Sequence, residues 1–496
     1  MGVRVASEIS SPFLKHLAAP APEMIWPRWL FLRALGVILG SAFYSLLFQI
    51  HGLIGPNGIL PATLYLDSLR QAAPGIVHLW AAPTVLWLGA GDGALTALVW
   101  AGLIASALLT INVWPRVTAA VCTLVFLSCI AALQDFASYQ SDGMLMQAGV
   151  AAVLLAPPGI RPGLGANAPP PRAAVWLLRW EWFSIYFESG VVKILSGDVQ
   201  WRTLTAMDHY YENNPLPTWL GWYEQQLPHV IQAGVTLLTL IVELFAPWVV
   251  FAPRRIRYYA AFFLTLFQIG IITTANYAFL NYLVLFLGAF LVDVPIERTA
   301  PTTRVGWVSV GALVVTLYVS AVDFFARSVP EPLVLPARLL APFRVANAYG
   351  LFAVMTTAEY EIEFQGSRDD TTWVAYPFRY KPQDPASPPG IYAPYQPRFE
   401  WNLWFASLGP WTQTPWVVTT QARLLTAEPS VLTLFARNPF AAAPPTAVRA
   451  VIWRYWFTDF ATRRQTHRWW NRELLGLYAG TVRRAGDGTL HFEPSR

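Results

Sequence analysis

The sequence predicts a polytopic α-helical membrane protein of about nine transmembrane helices, followed by a C-terminal extramembrane α+β domain with a small antiparallel β-sheet. Three observations predict this class. Charged residues make up only 13% of the chain and hydrophobic ones 55%, whereas soluble domains carry about 25% charged residues. Apolar runs long enough to cross a bilayer recur through the first two thirds and stop near Ala326. After that point alternating segments such as Tyr360-Glu361-Ile362-Glu363-Phe364 take over.

Residues 1–28 are weakly basic and interrupted by Pro12, Pro20, Pro22 and Pro27, which reads as a cytoplasmic tail without a signal-peptide cleavage site. The apolar runs of the transmembrane domain (29–325) fall at 29–50, 92–113, 117–134, 142–156, 173–195, 229–252, 257–275, 277–293 and 305–325. The fourth is short and ends at Pro157-Pro158, so a re-entrant segment is an alternative there. Residues 76–90, interrupted by His78 and Pro83, read as interfacial. Short basic loops mark the cytoplasmic side. Arg254, Arg255 and Arg257 place one loop inside, and alternation then places Lys15, Arg28, Arg116, Arg161, Arg172, Arg298 and Arg304 inside as well. Asp135 and Asp142 fall outside, with the outer loops 51–91 and 196–228 and the domain 326–496.

Within that outer domain, the alternating runs 360–364 and 373–380 flank a polar turn from Gln365 to Thr372 and predict a hairpin. The Pro-rich stretch 382–397 reads as a connector, and 399–408, 416–437 and 445–480 as helices. The last is rich in arginine and tryptophan; the predicted side of the membrane excludes nucleic acid as its partner and favours lipid headgroups, the outer domain or a client protein.

Chemistry concentrates between Arg179 and Pro217. The fifth apolar run carries Arg179, Glu181, Glu188 and Lys193, and charges within a span cost roughly 2.5–3.5 kcal/mol each on insertion scales. Glu181 and Glu188 share one helix face, with Arg179 and Lys193 roughly opposite, so each needs a partner on a neighbouring span. Glu243 is the candidate partner for a cation. Such pairs either fix helix packing or belong to a site. Beyond the membrane mouth, Asp198 and Arg202 are spaced to pair on a short helix, next to Trp201. His209, Tyr210, Tyr211 and Glu212 bring an acid/base, two phenols and a carboxylate beside Lys193, although interfacial aromatic belts have similar composition. Pro215 and Pro217 close the segment, and His51 to Gly58 reads as a turn.

Several chemistries have no footprint. Cys122 and Cys129 lie about 10 Å apart along one helix, too far for a disulfide, and no Cys/His set with zinc spacing occurs. There is no phosphate loop, nucleophile elbow or dinucleotide fingerprint, so neither a metal nor a cofactor is expected.

The stretch SGVVKILSGDVQWRTLTAMDHYYENNPLPTWLGWYEQQLP closely resembles the lipase maturation factor family. So do HGLIGPNGILP, NPFAAAPPTAVRAVIWRYWFTD and RRQTHRWWNRELLGLYAG, while YGLFAVMTTAEYEIEFQGSRDDTTW and FRYKPQDP look like that family's outer domain. The resemblance runs from about residue 28 to 480 and suggests a bacterial-type member. It implies a membrane protein, of the endoplasmic reticulum in animals, that assists folding and assembly of certain lipases, and fewer spans than nine. A shorter resemblance, Tyr186 to Trp201, is to the lysine motif of vitamin K-dependent gamma-carboxylases, where the lysine acts as a base towards a reduced quinone; it falls on Lys193.

Two functions are therefore expected to compete. The first is a non-enzymatic, chaperone-like maturation factor of a bacterial inner membrane, its C-terminal domain periplasmic (lumenal in a eukaryote), with the bilayer and a lipase-like client as partners. The second is a membrane enzyme acting on a quinone or lipid, with Lys193 as base and His209 and Glu188 in support.

Overall fold

The computed structural model describes residues 11–294, 301–326 and 328–494. Arg298 and the first part of the N-terminal tail lie outside the described residues. Each apolar run becomes a helix, as it must where no water can satisfy the backbone. The helices are α1 (Ile25–Leu47), α2 (Asp92–Thr110), α3 (Pro115–Ala132), α4 (Gln140–Leu155), α5 (Arg172–Leu195), α6 (His229–Phe245), α7 (Arg254–Thr274), α8 (Leu280–Leu287) and α9 (Arg304–Phe324). Among the described residues, six helical stretches are long and apolar enough to cross a membrane, corresponding to α1, α2, α3, α6, α7 and α9. α5 has the length but carries the charges described above, and α4 and α8 are shorter.

The basic loops gather at one end of the bundle. Arg172 pairs with Glu23 at 2.7 Å, Arg28 donates to the carbonyls of Leu164, Gly165 and Ala168, and Arg116 donates to Ala156. Arg179 and Arg257 share Asp293 there. The C-terminal domain sits at the opposite end, against the segments that follow α1, α3 and α5.

That domain is a five-stranded antiparallel sheet with helices on it. Strands β1 (Glu359–Ser367), β2 (Val374–Ala375), β3 (Ala447–Phe457), β4 (Trp470–Arg484) and β5 (Leu490–Glu493) lie in the order β2-β1-β3-β4-β5. Ile362 stands opposite Ile452 and Phe364 opposite Ala450. Helices α10 (Arg398–Ser407) and α11 (Trp416–Leu425) cover the sheet, and Phe364, Phe378, Phe399 and Phe435 form its aromatic centre.

The hairpin expected over 360–380 is present as β1 and β2, and 398–407 is the expected helix. Two expectations are corrected. Residues 445–480 are not a helix but the β3–β4 hairpin, with the short helix α12 (Phe460–Thr466) between its strands. β-Bulges at Arg449/Ala450, Ala450/Val451 and Ile452/Trp453 break the two-residue alternation, which hides the strand period in the sequence. Residues 416–437 do not form one helix either. Ala427 takes φ 55° and Pro429 starts a separate turn, which ends α11 at Leu425.

Candidate functional site

The site is built where α5 leaves the membrane and meets the segment leading into the sheet. α5 ends because Gly197 adopts φ +77°, the left-handed conformation usual just past a helix. Gly190 lets α6 approach closely: a Cβ at that position would lie 3.0 Å from Glu243. This approach brings Lys193 and Glu243 together, as the helix-face reasoning requires. The Lys193 ammonium lies 2.7 Å from Glu243 Oε2 and donates to Oε1 at 2.9 Å. It also donates to the Leu351 carbonyl at 2.9 Å and, more weakly, to Ser189 at 3.4 Å. Its three protons are thereby engaged, and the ammonium sits 5.1 Å from the Trp201 ring centroid.

The same arrangement repeats along the incoming chain. Glu188 Oε2 accepts the Tyr349 amide at 2.7 Å, and Trp201 Nε1 donates to the Phe352 carbonyl at 3.0 Å. Asp198 caps the Val199–Arg202 helix through Oδ1 and accepts the Met355 amide through Oδ2 at 2.7 Å. The Asn213 side chain donates to the Thr356 carbonyl at 2.9 Å, and the Asn213 main-chain carbonyl accepts the Thr356 hydroxyl. Residues 349–356 are therefore clamped, one backbone group after another, by α5 and the 196–217 loop. Both of Asp198's oxygens are thereby occupied, one by the helix cap and one by the clamp. The expected Asp198–Arg202 pair is absent among the described residues, and Arg202 is exposed.

The rest of the motif locks the loop to the sheet. Tyr210 packs on Tyr211 and Phe352, and Pro217 bridges to Ala275. Glu212 Oε2 accepts the Phe457 amide at the end of β3, and burial raises its carboxyl above the ordinary range. Burial likewise pushes the Tyr211 phenol up to about 12. Trp222 enters a cluster with Tyr455, Phe457 and Trp470, next to Arg463, which stacks 3.6 Å from the Trp469 ring centroid.

Glu181 is fully buried, and neither of its oxygens has a hydrogen-bond partner among the described residues. Arg179 donates to the Phe290 carbonyl and to Asp293 at the basic end of the bundle, far along α5 from Lys193. A cavity of about 720 Å³ lies beside the ion pair, with Lys193, Glu243, Tyr210, Tyr211 and Pro215 in its wall. Of the acid/base trio Lys193, His209 and Glu188, only Lys193 lines it.

Sequence reasoning missed the opposing half of this junction. Arg398 and Asp142 form a fully buried bidentate pair at 2.7 and 2.8 Å, and Arg398 also donates to the Phe136 carbonyl. A lone aspartate opening an apolar run was the available signal. Glu400 accepts the amides of Arg379, Tyr380 and Lys381, yet burial pushes its carboxyl up to about 7.

These features define a class: an integral membrane helix bundle whose charged fifth helix and the loop after it hold a C-terminal sheet domain. Residues 26–296 match the model described as the lipase maturation factor transmembrane domain, and 345–480 match the lipase maturation factor C-terminal domain. The chain is 30% identical to lipase maturation factor 2 of Homo sapiens, over 94% of this chain and 83% of that one. It is 30% identical to lipase maturation factor 1 of Bos taurus, over 91% and 88%, and 29% identical to that of Mus musculus, over 96% and 92%. No solved structure matches. The chain belongs to the lipase maturation factor family.

Proposed function

We propose that this protein is a membrane-anchored maturation factor that assists the folding of a secreted, lipase-like client on the extracytoplasmic face. The observation that carries this reading is the membership itself, which covers both the helical and the C-terminal domain. The cation-rich loops at one end of the bundle support an orientation in which that end is cytoplasmic and the C-terminal domain is periplasmic, in a bacterial inner membrane. In this reading Asp198, Trp201, Tyr210, Tyr211, Glu212, Pro215 and Pro217 form the brace that presents the C-terminal domain to the client, with Arg202 exposed beside it. Deleting the gene should lower the specific activity of secreted lipase, and the purified protein should carry a lipase folding intermediate. Full lipase activity and secretion in the deletion strain would overturn the proposal.

The second reading, an enzyme with Lys193 as base, has the cavity in its favour. Against it stand the three engaged protons of Lys193, the use of Glu188 to hold the Tyr349 amide, and the position of His209 outside the cavity wall.

A further inference from the structure

α6 and α7 are consecutive helices, yet they lean on different neighbours. α6 packs against α5, while α7 packs against α8 and the Trp219–Gln225 helix. The cavity beside Lys193 draws part of its wall from both, and its volume of about 720 Å³ falls within the roughly 300–1,000 Å³ typical of small-molecule sites. Leu238 on α6 and Gly270 and Ile271 on α7 stand in its wall. The same two helices turn Ile231, Ile241, Phe262 and Phe263 outward, all exposed, as expected for faces in contact with hydrocarbon. A ligand that enters between these two helices comes from the bilayer.

The polar groups in the wall specify its head. Lys193 and Glu243 neutralise each other, and the Lys193 protons are taken, so no cation is available for a phosphate or carboxylate. Glu224 adds a negative charge to the wall, which further disfavours an anion. The Gln268 amide is occupied by Tyr186 and Asn281. What is left is Asn213 Oδ1, an acceptor, with the Ser189 and Tyr277 hydroxyls and the Trp401 indole N–H, all on buried wall residues and without a hydrogen-bond partner among the described residues. A set that both accepts and donates calls for a neutral group that does the same, such as a hydroxyl. We propose that the cavity takes a neutral, hydroxyl-bearing lipid of the monoacylglycerol type, its hydrocarbon chain between α6 and α7 and its hydroxyl directed to Asn213. This goes beyond the maturation role and does not depend on the identity of the client.

Gly270 supplies the test, because a Cβ there meets nothing within 4 Å, so a larger side chain extends into open space. Full-length protein in phosphatidylcholine nanodiscs is irradiated with monoacylglycerol carrying a diazirine in its chain, and in parallel with the corresponding fatty acid. Adducts are mapped by mass spectrometry. The expected result is monoacylglycerol adducts on the cavity residues Thr239, Phe267 or Ile271, lost in Gly270→Trp, with adducts on the outward Phe262 and Phe263 retained. Gly270→Leu serves in its place if the tryptophan variant melts at lower temperature. Adducts confined to the outward residues, cavity adducts untouched by the substitution, or equal cavity labelling by the fatty acid would each overturn the proposal.

Discussion

Lys193 and Leu351 lie 158 residues apart, and the Lys193 ammonium donates to the Leu351 carbonyl at 2.9 Å while it pairs with Glu243. One side chain thus joins two membrane helices to the segment that enters the C-terminal domain. Breaking a buried pair by removing one partner costs about 3–5 kcal/mol, because the other charge is left uncompensated. Lys193→Met should therefore lower the melting temperature of the purified protein sharply, and adding Glu243→Leu should restore most of the loss. A Lys193→Met protein that melts normally but no longer supports lipase maturation would instead give Lys193 a chemical role.

Asp198 should act through the linker and not through Arg202. In Asp198→Asn one oxygen becomes an amide nitrogen, which donates only, so the single remaining oxygen must serve either the Met355 amide or the cap of the Val199–Arg202 helix. Leaving a buried donor unpaired costs about 1–3 kcal/mol. Hydrogen exchange at Met355 should accelerate in this variant, whereas Arg202→Ala should leave it unchanged. Equal acceleration in both variants would contradict the clamp.

The helices were legible because a chain in lipid has few alternatives to helix, and the Lys193–Glu243 pair because charges in spans need opposite charges nearby. What the side chains at the C-terminal end of α5 hold was not legible. Glu188, Lys193, Asp198, Trp201 and Asn213 all bind the main chain of 349–356, and backbone amides and carbonyls leave no residue-type signature. The β3–β4 hairpin was lost to its bulges, and the Arg398–Asp142 pair to its span of 256 residues, which no local pattern reports.

Arg398 and Asp142 form the second fastening of the C-terminal domain, remote in sequence from the Lys193 clamp. Both side chains are fully buried, so Arg398→Met should cost about 3–5 kcal/mol and expose the junction between α4 and α10. Limited proteolysis should then cut near 344–350 ahead of the sheet, with the helix bundle left intact. Arg398→Met combined with Asp142→Leu should regain stability; cleavage unchanged from the unsubstituted protein would show that the pair fastens nothing.

Glu400 makes the stability of the C-terminal domain depend on pH. Burial is the largest influence on its carboxyl and raises it from the ordinary 4.5 to about 7, with the amides of Arg379, Lys381 and Tyr380 pulling the other way. The folded state thus holds a proton that the unfolded state releases first, so stability falls as pH rises from about 4.5 to about 7 and levels off above. By linkage the loss is at most roughly 3 kcal/mol for a change of this size. Glu359 and Glu361, also raised by burial, act in the same direction. Melting curves at pH 5 and pH 8 should therefore show the domain more stable at pH 5. Glu400→Gln should narrow that difference, since glutamine carries no titrating proton. A difference of the same size in the variant would mean that Glu400 already ionises at its ordinary value.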